Sequence, residues 1–132
     1  MKKLTYLFDT HAFIFWTNKE TVSEDFINFF DKQEQQGCLY ISSLSFWEVA
    51  LLVKRGRIAI SDVHVWKNEI LENTNIHLTD PSASEMIDSV LLPDIHKDPF
   101  DRLLIAQANQ NNFLIVTKDQ DIQKYDVETF WM

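Results

Sequence analysis

The chain has 132 residues, with 20 acidic against 12 basic side chains and a formal net charge of −8. That is the length of one domain, residues 1–132, and 45% apolar residues with 13% aromatic supply a packed core rather than a disordered segment. The acidity argues against passive nucleic-acid binding through a basic face. Two glycines, Gly37 and Gly56, exclude a glycine-rich phosphate loop, and one cysteine, Cys38, excludes an intrachain disulfide or a thiolate metal cluster.

In chain order, residues 4–8 are a short apolar run ended by Asp9, which predicts a buried strand. The run is too short for a signal-peptide core or a membrane span, so the expected location is the cytoplasm, with no membrane partner. Residues 12–16 are apolar on every face and predict a short buried helix or turn. Phe26, Ile27, Phe29 and Phe30 recur at helical spacing within 23–36, and Gly37 is placed to stop that helix. A second strand is expected at 39–41. Leu44, Trp47, Leu51 and Leu52 form the stripe of a helix over 45–55, ended by Gly56. Another amphipathic helix is expected over 62–73 and a third strand over 76–78. Pro81 and Ser82 begin a helix to about residue 91, and 93–97 reads as loop. Pro99 suits the first turn of a helix reaching about residue 111. A fourth strand over 113–116 and a short last one over 127–130 complete the chain. Short apolar strands alternating with helices predict an α/β fold on a mainly parallel sheet with helices on both faces.

Such sheets bind ligands beyond the carboxyl ends of their strands. Asp9 follows the first strand. Glu48 follows the second, in the expected first turn of its helix. Asp98 and Asp101 stand at the helix start before the fourth strand, and Asp119 follows that strand. Asp9, Glu48, Asp101 and Asp119, distant in sequence, are expected to converge on one edge. Converging carboxylates repel and need a counter-charge, which Mg²⁺ or Mn²⁺ supplies through oxygen ligands. Such an ion polarises phosphoryl oxygens and activates water. Each acid also has a local structural reading. Ser45-x-x-Glu48 matches a capping box, Asp98-Pro99-Phe100-Asp101 matches a helix start, and Ser82-x-x-Glu85 shows the same pattern with no catalytic role assigned.

Four segments occur in a telling order: Leu7-Phe8-Asp9-Thr10-His11, Ser45-Phe46-Trp47-Glu48-Val49-Ala50, the run from His96 to Ala106, and Val116-Thr117-Lys118-Asp119. Together they resemble PIN-domain ribonucleases of the VapC type, toxins of type II toxin–antitoxin pairs. The resemblance implies an α/β/α sandwich, Mg²⁺- or Mn²⁺-dependent cleavage of an RNA substrate, a small antitoxin partner and a homodimer. It assigns Asp9, Glu48 and Asp101 to the three main acids and Asp119 to the fourth. Thr117 becomes a polar helper, and Asp98 the helix cap or an accessory ligand.

His11 and His96 flank acidic motifs, where either could contact phosphate or orient a neighbour. Arg102 could hold a site carboxylate or touch phosphate. Phe13, Phe15, Trp16, Phe46 and Trp47 are expected mostly in the core. Two competing readings are an inert PIN-like interaction module and a metal-dependent phosphatase or phospho-acceptor domain. The latter wants a second acid near Asp9, and His11 stands there instead.

Overall fold

The protein is described by a computed structural model over residues 3–132. Its elements are β1 (Tyr6–Phe8), α1 (Thr10–Asn18), α2 (Glu24–Gln35), β2 (Leu39–Ser42), α3 (Ser43–Lys54) and α4 (Val63–Asn73). There follow β3 (His77–Thr79), α5 (Ala83–Leu91), α6 (Pro99–Asn111), β4 (Leu114–Val116), α7 (Gln120–Gln123) and β5 (Thr129–Phe130). The strands form one parallel sheet in the order β3-β2-β1-β4-β5.

The central strand shows why the sheet is covered on both sides. Successive side chains of a strand point to opposite faces. Tyr6 and Phe8 enter one core, with Phe13, Trp16, Phe26, Phe30 and Leu39, while Leu7 enters the other, with Leu104, Ile105, Ile115 and Ile122. The first core is built from aromatic edges: the Phe30 ring lies 5.6 Å from Tyr6 and 5.1 Å from Phe8. Such pairs add about 0.5–1.5 kcal/mol each beyond the area they bury. Cys38 is buried beside β2, as a small core residue. Among the described residues no helix is long and apolar enough to cross a membrane.

The strand order positions the site. From β1 the chain moves to β2 and β3 on one side, then crosses to β4 and β5 on the other. The connections diverge between β1 and β4, which pair as Tyr6↔Leu114 through Phe8↔Val116. A crevice at the carboxyl ends of these two strands is where an open parallel sheet takes its ligand.

Several boundaries differ from expectation, each for a local reason. The apolar segment at 12–16 is part of a longer helix, α1, because the Asp9 carboxylate accepts from Ala12 N at 2.7 Å and caps it from the preceding residue. Helix α3 starts before Ser45. Ser42 is its cap, its Oγ accepting from Leu44 N at 3.2 Å. Ser45 is therefore interior and takes a hydrogen bond from the Thr10 hydroxyl at 2.9 Å, so Ser45-x-x-Glu48 is not a capping box. Glu48 lies beyond the first turn, where the helix dipole gives it little help. Ser82-x-x-Glu85 does form the reciprocal pair, with Ser82 N donating to Glu85 at 2.7 Å and Glu85 N to Ser82 at 3.1 Å. The short α7 has no counterpart in the sequence reading, since four residues carry no periodicity. At the sheet edges, β3 is shifted one residue from the expected 76–78, and β5 is shorter than the expected 127–130.

Candidate metal and active site at the carboxyl edge of the sheet

Asp9 leaves β1 into the crevice and is 8% exposed. Its side chain accepts from Ala12 N at 2.7 Å, and the neighbouring Thr117 hydroxyl lowers its proton affinity. Thr117 directly follows β4, is buried, and its Oγ1 also accepts from Asp119 N at 3.0 Å. One hydroxyl thus ties the acids after β1 and β4 together. Asp119 in turn caps α7, its Oδ1 accepting from Asp121 N at 2.8 Å.

On the other flank, Asp98 caps α6, its Oδ1 taking Phe100 N at 2.9 Å and Asp101 N at 3.4 Å. Asp101 is the third residue of α6 and pairs through Oδ2 with His96 Nε2 at 3.0 Å. The second ring nitrogen of His96 lies 3.6 Å from Asp121, so the imidazole bridges the loop before α6 and the start of α7. Cap and ligand are therefore not exclusive roles. At Asp98 and Asp119 the capping bonds engage Oδ1, and Oδ2 takes no part in them.

The electrostatics connect the acids. Burial pushes Asp9 above the ordinary carboxylate range, against the pull of Thr117, Ala12 and His11, and the Asp119 charge adds to the rise. Asp101 is pushed up to about 7, first by burial and then by Asp98, Asp119 and Glu48, with the His96 bond opposing. Asp119 is common to both fields. Asp9 is thus within electrostatic range of Asp119, and Asp101 of Asp98, Asp119 and Glu48, but the oxygens of the four assigned acids do not close into a compact trio. Among the described residues, the one group of three whose ligand atoms all lie within 4.8 Å of one another is His96, Asp98 and Asp101. Carboxylate oxygens suit Mg²⁺ and Mn²⁺, and an imidazole nitrogen suits Mn²⁺ better than Mg²⁺. Asp9, Glu48, Asp101 and Asp119 offer only carboxylate oxygens, a donor set that fits a divalent ion; Asp9 and Asp101 are raised first by burial and then by neighbouring acids.

His11 is exposed and lines a cleft with Asp9 and Asp119. Arg102 does not hold a site carboxylate. Its guanidinium donates to the carbonyls of Ser89, Val90, Leu92, Pro93 and His96 and to the Tyr125 hydroxyl, at 2.9–3.2 Å. It orients the site through the loop, fixing the turn that carries His96. A lysine cannot reproduce this planar fork. Arg102→Lys should lower stability by about 1–3 kcal/mol, read as a lower denaturation midpoint, with faster amide exchange across 93–98. An unchanged midpoint and exchange rate would show that the clamp is dispensable. His96 takes the orienting role, one of the two the sequence leaves open, because a histidine five residues before an acid in a loop has no diagnostic spacing.

Residues 6–128 match the family model of the PIN domain. The chain belongs to the PIN domain family. Its fold is similar to that of a chain of VapBC2 from Rickettsia felis bound to a promoter DNA fragment. That match has a TM-score of 0.74 and 15% identity, over 97% of this chain and 98% of that one. A chain of DNA-bound VapBC from Salmonella typhimurium matches with TM-score 0.72 and 15% identity, over 98% of each chain. FitAcB from Neisseria gonorrhoeae matches at 0.64 and 19%, over 96% of each. At these identities the likeness is one of fold. A search of curated proteins finds no match. The PIN fold accounts for the α/β/α layering. All the acids discussed above lie within the matched residues.

Proposed function

We propose that this PIN domain is a metal-dependent endoribonuclease and the toxin of a type II toxin–antitoxin pair. One observation carries the nuclease reading. Two carboxyls with raised proton affinity, Asp9 and Asp101, stand at the carboxyl edge of the sheet and share the field of Asp119. Perturbed carboxyls grouped at a cleft mark a functional site, and a bound cation would relieve their repulsion.

Mg²⁺ or Mn²⁺, when bound, would polarise a phosphoryl oxygen and lower the pKa of a water. The residues of this chain do the holding. Asp9 is oriented by Ala12 N, with the Thr117 hydroxyl beside it favouring its charged form. Thr117 keeps Asp119 beside it. Asp101 is oriented by His96, whose loop is held by Arg102. Glu48 contributes charge from α3, and Asp98 serves as cap and accessory ligand. His11 stands at the mouth, where an exposed imidazole can meet substrate phosphate.

The antitoxin partner is supported by the company the fold keeps, complexes of VapBC and FitAB. The homodimer is supported by α5, which leaves Ile87, Val90 and Leu91 61%, 75% and 74% exposed. Contiguous apolar surface of this kind marks an interface. A cytoplasmic location follows from the same reading.

The test is cleavage of RNA by the purified chain with Mn²⁺, with Mg²⁺ and with EDTA. Cleavage should appear with either ion and vanish with EDTA. Metal-independent cleavage would remove the mechanism. No cleavage together with no metal-induced thermal shift would instead favour an inert module.

A further inference from the structure

A cleft of about 410 Å³ opens beside the carboxylates, between α1, the turn after β4 and the C-terminal tail. Asp9 and Asp119 form one end. The remaining wall includes Phe15, Lys118 and Trp131 and is mainly apolar. The Lys118 ammonium lies 5.3 Å from the centre of the Phe15 ring and 5.8 Å from that of Trp131. Trp131 is braced from behind by the fully buried Phe26, at 4.8 Å between ring centres. The proposed chemistry uses none of these three residues.

Their arrangement fits a ligand with one flat apolar part and one anionic part. A chain of net charge −8 cannot grip a polyanion with a broad basic face. It needs an isolated cation and a stacking surface instead. We propose that this cleft is the subsite for one unpaired nucleotide adjoining the phosphodiester that is cut, its base against Phe15 and Trp131 and its phosphate on Lys118. This rests on the nuclease reading. In the free protein Lys118 covers the ring faces through weak, exposed cation–π contacts. Its four-carbon stem lets the ammonium move to phosphate as the base enters. A base inside a duplex is already stacked on both faces and cannot use the wall. The wall therefore reads an unpaired base through Phe15 and Trp131, with Lys118 taking its phosphate.

The test is fluorescence anisotropy with a labelled 12-nucleotide single strand and a hairpin duplex, in Mn²⁺, using the Asp9→Asn chain so that the RNA stays intact. Adding Phe15→Leu should weaken single-strand binding about tenfold, the loss of one stacked base. Adding Lys118→Gln, an exposed position that does not threaten the fold, should reduce the slope of log affinity against log salt by about 0.7. Neither should change duplex binding. Unchanged single-strand affinity and slope, equal losses for the duplex, or no RNA binding by the Asp9→Asn parent would overturn the subsite. Cleavage by the native chain separates the two ideas. If it cleaves while the variants bind like their parent, the subsite falls and the nuclease stands. If it never cleaves while the variants lose single-strand binding, the nuclease falls and the cleft stands as a nucleotide-binding site alone.

Discussion

Asp9→Asn should lower RNA cleavage by about 10²–10³-fold while leaving the fold unchanged, since removing one preorganised electrostatic group from a reacting site costs that much. The substitution is unusually clean here. Asparagine caps helices as well as aspartate, and its amide oxygen can accept from Ala12 N as the carboxylate does. Its NH₂ can donate to the Thr117 oxygen, so the tie across β1 and β4 survives. What disappears is the charge. Because Asp9 is buried and that charge is disfavoured by its surroundings, the metal-free variant should melt no earlier than the native chain. Activity measured by gel-resolved RNA cleavage and stability by thermal denaturation should therefore move independently. A variant that keeps full activity would take Asp9 out of the chemistry. One that loses activity only by unfolding would make it a structural cap.

The metal-free protein should be less stable at pH 8 than at pH 5, and Asp101→Asn should remove much of that difference. The ordinary value for this carboxyl is 3.8 and its folded value is about 7. Between those two values the native state holds a proton that the unfolded chain has released. Unfolding free energy therefore falls as pH rises through that window and levels off above it. One pKa unit corresponds to about 1.4 kcal/mol, so Asp101 withholds on the order of 2–4 kcal/mol at neutral pH. Asparagine has no such penalty, and its oxygen still accepts from His96. At pH 8 without metal it should raise the melting temperature by several degrees, and at pH 4 it should change little. Mn²⁺ should offset that penalty, since an ion bound only to the native state adds about 2.7 kcal/mol at a hundredfold and about 4.1 kcal/mol at a thousandfold excess over Kd. Protons and metal compete for Asp101, so apparent Mn²⁺ affinity should weaken about tenfold per pH unit below 7. A metal-free native chain that gains stability from pH 5 to pH 8 relative to Asp101→Asn would contradict the electrostatic picture.

Much of this arrangement was legible in the sequence, for identifiable reasons. The sheet was legible because Leu7, Phe8, Ile41 and Ile115 sit in unbroken apolar runs, as strands buried on both faces must. Asp9 was legible because a charge ending such a run needs a purpose. Asp98 and Asp101 were legible because Pro99 marks the helix start between them. Glu48 was placed near the right strand but at the wrong depth in its helix. Ser42 and Ser45 are equally good caps on paper, and the contact between Ser45 and Thr10, 35 residues apart, decides between them. The same limit left the roles of His96 and Arg102 open and gave no sign of one for Lys118. Their roles depend on a partner carboxylate, on a set of carbonyls and on two aromatic rings that come together only in three dimensions. The net charge of −8 gains a meaning from the fold. Part of it is concentrated at one sheet edge, where burial and mutual repulsion raise the proton affinity of two carboxyls.

The most direct measurement is anomalous diffraction from crystals of the native chain soaked in Mn²⁺ near pH 8. The proposed metal centre predicts a manganese peak in direct contact with Asp9 and with at least one of Asp101 and Asp119, in the crevice between β1 and β4. A peak confined to His96, Asp98 and Asp101, or no peak at saturating Mn²⁺, would contradict it.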